Sequence, residues 1–224
     1  MRFDSTRAVR ETSTVVRRAL RVVRAGLVIG LACGVVRAQE VFIDQMLAVV
    51  NTDVVTQSDL RAARRLQLVP FASSMDDEAL LMQLIERRLI LSEVARYAPA
   101  EPTREQVTAR RTNWAEALPA GTDVPKALTN AGVRESTLMA WLRDDLRIAA
   151  YLDQRFTAAA QPTREQALTY FRAHEADFAV AGVTPEFATV EADVRRRVAA
   201  ERRATRIREW IESLKQRAEI RRVR

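Results

Sequence analysis

The most restrictive pattern in this 224-residue chain lies between Asp76 and Arg96. Leu81, Ile85, Leu89 and Val94, flanked by Leu84 and Leu91, recur at helical spacing and give a wide apolar face. The acidic first turn Asp76, Asp77 and Glu78 and the later arginines suit the helix dipole. Pro99 and Pro102 end the segment. A face this wide belongs in a core, so the fold has to be built around this helix.

Further helices follow. Pro102, Thr103, Arg104, Glu105 and Gln106 recur as Pro162, Thr163, Arg164, Glu165 and Gln166. Each copy places a threonine N-cap three residues before a glutamine, which is a capping box opening a helix. The spacing predicts helices over 103–118, 124–131, 135–156 and 163–178, then a loop over 179–185. In the helix over 135–156, Leu138, Trp141, Leu142, Leu146, Ala149, Leu152 and Phe156 form one stripe. A long helix over 186–217 carries Phe187, Val190, Val194, Val198, Ile207, Ile211 and Leu214 along one side. Two β-branched runs, 46–51 and 53–56, read as short strands around a turn at Asn51. Thr56 and Asp59 then have capping-box spacing and open a helix reaching about Leu68, ahead of Pro70. The alternating segment 218–223 reads as a final strand, with the two early strands as its partners. The expected fold is mainly α, with a small sheet that joins both ends of the domain.

The N-terminus has a different character. Seven arginines and only two acids, Asp4 and Glu11, precede the uncharged apolar run 25–36. Val36 and Ala38 then supply small residues before Gln39. These are the n-region, h-region and cleavage site of a secretory signal peptide, with cleavage between Ala38 and Gln39. The expected organisation is a signal over 1–38 and one domain over 39–224, located in the periplasm. The run is short of the ~20 residues of a membrane span, so no stable span is expected after signal removal. An uncleaved anchor and a lipoprotein processed at Cys33 are the alternatives.

Cys33 is the only cysteine, and it lies in the signal, so disulfides do not hold the mature domain together. The whole chain carries a net charge of +7, and this falls to +1 over 39–224, because eight arginines and two acids leave with the signal. That near-neutral balance argues against a nucleic-acid partner. One histidine, His174, and no mature cysteine leave no plausible metal site. The sequence has no glycine pattern for phosphates or dinucleotides, and no cofactor is expected. His174 reads as a surface or helix-end residue, with no nucleophile or orienting acid beside it. The carboxylates read as solvated faces paired with arginines three or four residues away. Trp114, Trp141 and Trp210 fit helical stripes and read as core. No catalytic residues are assigned.

An ordered series of segments carries a resemblance. Residues 48–60 (AVVNTDVVTQSDL), 84–94 (LIERRLILSEV), 102–107 (PTREQV), then Ala131 and Gly132 before 141–147 (WLRDDLR) occur in the order of the N-terminal domain of SurA-type periplasmic chaperones, which they resemble. The likeness covers about residues 42–178. The final helix and strand resemble the segment that completes this domain in such chaperones. The resemblance implies an ATP-independent chaperone, not an enzyme, whose partners are unfolded or nascent envelope and outer-membrane proteins. Many members also carry parvulin-type prolyl isomerase modules before the final helix. Here only 179–185 lies at that place, so isomerase activity is not implied. A structural or adaptor subunit of an envelope assembly is the alternative reading. An enzyme, either a cryptic prolyl isomerase or a hydrolase, is the third.

Overall fold

In the computed structural model, which describes residues 44–180 and 182–223, the first described element is a hairpin. The expected signal segment and its expected cleavage junction at Ala38 and Gln39 lie outside the described residues. Strands β1 (Met46–Val50) and β2 (Asp53–Thr56) pair antiparallel, with Val49 opposite Val54 and Val50 opposite Asp53. Asn51 makes the turn at φ 54°, a left-handed conformation that asparagine tolerates. Ala48, Val50 and Val55 turn inward as the pleat alternates.

Helix α1 (Gln57–Arg65) starts with the expected box. The Thr56 hydroxyl accepts from the Asp59 N–H, and the Asp59 carboxylate accepts from the Thr56 N–H. The helix ends before the expected limit near Leu68. Gln67 turns left-handed at φ 48°, the Leu68 N–H bonds the Ala63 carbonyl, and the Gln67 N–H bonds that of Arg64. This is a Schellman closure, and it leaves Leu66 fully buried. Arg64 holds the following loop by donating to the carbonyls of Ala72 and Met75 and pairing with Asp77 at 2.7 Å.

Helix α2 (Asp77–Tyr97) is capped by Asp76, whose side chain accepts from the Ala79 N–H. It buries Leu80, Leu81, Leu84, Ile85, Leu89, Ile90 and Val94. Leu91, read as a flank of this face, is only half-buried. Helix α3 (Arg104–Glu116) opens with the box of Thr103 and Gln106. Helix α4 (Val124–Ala131) has the expected bounds.

Helix α5 (Glu135–Ala160) runs past its expected end at Phe156 and buries Leu138, Leu142, Tyr151, Phe156 and Ala160. Ala149, read as part of the buried stripe, is exposed, and Leu146 and Leu152 are half-buried. Tyr151 is buried where the straight stripe would place its neighbours, because the two ends of α5 face different clusters. Helix α6 (Arg164–Ala173) repeats the capping box at Thr163 and Gln166 and stops five residues short of Phe178. His174 caps it, and a 3-10 turn (Glu175–Phe178) brings Phe178 to 5.6 Å from Phe171. Helix α7 (Phe187–Arg217) leads to strand β3 (Ile220–Arg222), which pairs antiparallel with β1 in the order β2-β1-β3. The two ends of the domain meet as the sequence implied.

Buried side chains in the described residues gather in three clusters. The largest joins the sheet, α1, α2, the C-terminal half of α5 and the C-terminal half of α7. A second joins Leu66, Trp114, Leu118, Leu128, Leu138 and Leu142. The third is confined to α6 and the first half of α7, around Ala167, Phe171, Val194 and Val198. Trp114 ties the second cluster to α1: its indole N–H donates to the buried Leu66 carbonyl at 2.8 Å.

Two outcomes check this account. Truncation after Ala218 removes β3 and the bond from the Glu219 N–H to the Asn51 side chain. A loss of about 2 kcal/mol in urea unfolding is expected, and an unchanged midpoint would show that the closing strand is dispensable. Trp114→Phe leaves the Leu66 carbonyl without its donor. It should cost about 1 kcal/mol more than Trp210→Phe, because the Trp210 indole nitrogen has no partner to lose among the described residues.

Candidate peptide-binding groove

Helices α2, α5 and α7 do not close on one another along their whole length. Between them, beside the loop after α1, lies a groove of about 440 Å³. Leu68, Val69, Ile90, Ile148 and Leu152 give it an apolar floor, and the small Ala149 keeps its mouth wide. Arg87, Arg110, Asp145 and Arg203 supply its charged walls.

The wall nearest α3 is a tight ionic cluster. Arg87 donates to Asp145 Oδ1 at 2.5 Å and to the Trp141 carbonyl at 3.0 Å. Its guanidinium also lies 3.9 Å from the centre of the Trp141 ring, in cation–π contact. Arg110 donates to Asp145 Oδ2 at 3.3 Å. The Arg87 and Asp145 side chains are only 11% and 17% exposed, so each gives up much of its hydration. Burial holds the Asp145 carboxyl above its usual range, and the two arginines oppose this without cancelling it. Burial likewise lowers Arg87, against the pull of Asp145 and Asp144. Desolvation therefore outweighs attraction at this pair, as is common for buried ion pairs.

Trp141 separates this groove from a second hollow of about 390 Å³, lined by Ala62, Val133, Arg134 and Thr137 among others. Leu68 lines both. The Trp141 indole nitrogen is buried and has no acceptor among the described residues, and the same is true of Arg203 Nε. The groove thus combines an apolar floor with one lining arginine that lacks an acceptor among the described residues, while the Trp141 indole belongs to the neighbouring hollow. A third hollow, of about 450 Å³, lies between α2 and the end of α7. Its charged walls are already engaged: Arg96 pairs with Glu93, and Arg217 donates to the Ser213 carbonyl. It offers less to a ligand.

His174 sits elsewhere, at the end of α6. Its ring stacks on Tyr170 at 4.1 Å, and Nδ1 lies 2.9 Å from the Tyr170 carbonyl oxygen. Trp114 and Trp210 are buried as read from the sequence, whereas Trp141 is half-buried and borders the site. Many ion pairs differ from the local pattern read from the sequence. Arg111–Glu135, Arg147–Glu101, Arg164–Glu191 and Lys215–Glu86 join residues far apart in the chain. Sequence reasoning found none of Arg87, Arg110, Asp145 or Arg203, because each looks like an ordinary solvated helix charge. Among the described residues no helix is long and apolar enough to cross a membrane. The chain matches no protein-family model and no curated protein.

The ionic cluster has a testable pH signature. Arg87→Met leaves Asp145 with Arg110 alone and should cost about 2–3 kcal/mol at neutral pH. A carboxyl whose folded pKa is raised contributes stability below its unfolded value and loses it as pH rises through the folded value. Removing Arg87 raises Asp145 further, so the penalty should shrink as pH falls below the carboxylate range. Replacing both partners, Arg87→Met with Asp145→Leu, should recover most of the loss. Urea unfolding at acid and neutral pH checks each point.

Proposed function

We propose that this protein is an exported, ATP-independent chaperone of the SurA type, without an isomerase module, that holds unfolded envelope or outer-membrane proteins. The observation that carries the reading is the groove between α2, α5 and α7, with its apolar floor and the lining Arg203, whose Nε has no partner among the described residues. An unfolded chain presents what such a groove can take up: apolar side chains for the floor and main-chain carbonyls for the unpartnered arginine. A shallow, open groove binds such segments weakly enough to release them without fuel. The ordered resemblance of residues 42–178, and a helical domain completed by its own C-terminal strand, support the same reading.

The purified protein should suppress light scattering when a urea-unfolded porin-type protein is diluted into buffer, and an inert protein at the same concentration should not. Ala149→Glu, on the exposed rim of the groove, should weaken that protection several-fold without lowering thermal stability. Unchanged scattering with the wild-type protein would sink the proposal. Stoichiometric capture of one folded partner, with no effect on the unfolded client, would support an adaptor role instead.

A further inference from the structure

The charges of the groove do not balance. Asp145 is engaged on both oxygens by Arg87 and Arg110. Glu86, the other acid on the lining, is held by Lys215 at 2.8 Å. Arg203 projects from α7 into the same groove, its Nε is buried, and no described carboxylate or carbonyl accepts from it. A guanidinium cannot discard its charge in response to burial, so it remains a cation with unmet donors beside an apolar floor. Arg206, one turn further along α7, is exposed and lies outside the groove lining.

We propose that Arg203 makes this groove selective for extended apolar peptide segments that carry an acidic residue. The proposal rests on the chaperone reading and names the class of segment that the groove prefers. Apolar side chains of the segment lie on Ile90, Ile148 and Leu152, and its carboxylate accepts from Arg203 in a charge-assisted hydrogen bond. Because Arg203 is half-buried on the groove wall, its guanidinium has already given up part of its hydration in the free protein. The pair forms with less further desolvation than an exposed pair does.

The test uses a short fluorescein-labelled peptide of alternating leucine and serine with one central glutamate, and the same peptide with glutamine in its place. Fluorescence anisotropy with the purified protein should show the glutamate peptide bound about three- to tenfold more tightly. Arg203→Gln should abolish the preference, and Arg203→Lys should retain part of it. Arg206→Gln should behave as wild type, and circular dichroism melting confirms that the variants fold. Equal binding of the two peptides by the wild-type protein overturns the selectivity and leaves the chaperone reading standing. Failure of either peptide to bind, together with unchanged client aggregation, overturns both. A preference that Arg206→Gln removes as fully as Arg203→Gln assigns the effect to the general charge of α7 and overturns the role of Arg203.

Discussion

Helix α2 buries apolar side chains around more of its circumference than one neighbour can cover. Val50 and Val55 of the sheet, Tyr151 and Phe156 of α5, and Trp210 and Leu214 of α7 belong to the same cluster as its seven buried residues. A run of aromatic contacts bridges the three helices: Tyr97 to Tyr151 at 5.6 Å, Tyr151 to Trp210 at 5.7 Å, and Phe156 to Trp210 at 5.5 Å. Such pairs contribute about 0.5–1.5 kcal/mol each beyond the area they bury. Because the end of α7 is held against α2 by this packing, the chain that follows is delivered beside β1. The small sheet closes as a consequence.

Helix α7 serves two clusters with different resources. Its second half is set in the main core through Trp210 and Leu214. Its first half packs on α6 and the turn after it in a cluster of four buried residues, and Arg195 donates to the Pro162 carbonyl ahead of α6. Surface contacts surround that smaller cluster: Arg164 with Glu191 at 3.1 Å, Arg197 with Asp177 at 2.9 Å, and Tyr170 with Glu201 at 2.6 Å. Exposed pairs of this kind contribute at most about 1 kcal/mol each. With few buried apolar contacts, this arm has the least to lose on local opening.

The groove persists for a related reason. Arg87 and Asp145 occupy ground between α2 and α5 that apolar side chains would otherwise close. A desolvated charge has to keep its hydrogen bonds, so the helices cannot collapse onto the space beside it. The cation–π contact of Arg87 with Trp141 fixes the indole at the border of the two hollows. Burial disfavours the charged forms of both side chains, and the hydrogen bonds of Arg87 and Arg110 to Asp145 oppose it. Open apolar surface beside a rigid charged wall is what remains for a ligand.

Elements whose cause is local were readable in the chain itself. The capping boxes at Thr56, Thr103 and Thr163 bond as their spacing implied, and Asn51 makes the hairpin turn. Each depends on residues within a few positions of one another, and so does the apolar period of α2. Where a helix ends was less readable. Burial of Leu66 closes α1 early, and the packing of Phe178 on Phe171 ends α6. The site was least readable of all. Trp141 carries the same helical period as the buried Leu138 and Leu142, and Arg203 looks like any other arginine of a charged helix. Periodicity specifies which face of a helix is apolar but not what covers that face, and charge count does not specify which arginine lacks a carboxylate. The sequence alone therefore determined the helices, their caps and the small sheet. Only the tertiary structure decided which apolar residues stay open and which charges meet, because both depend on contacts between segments far apart in the chain.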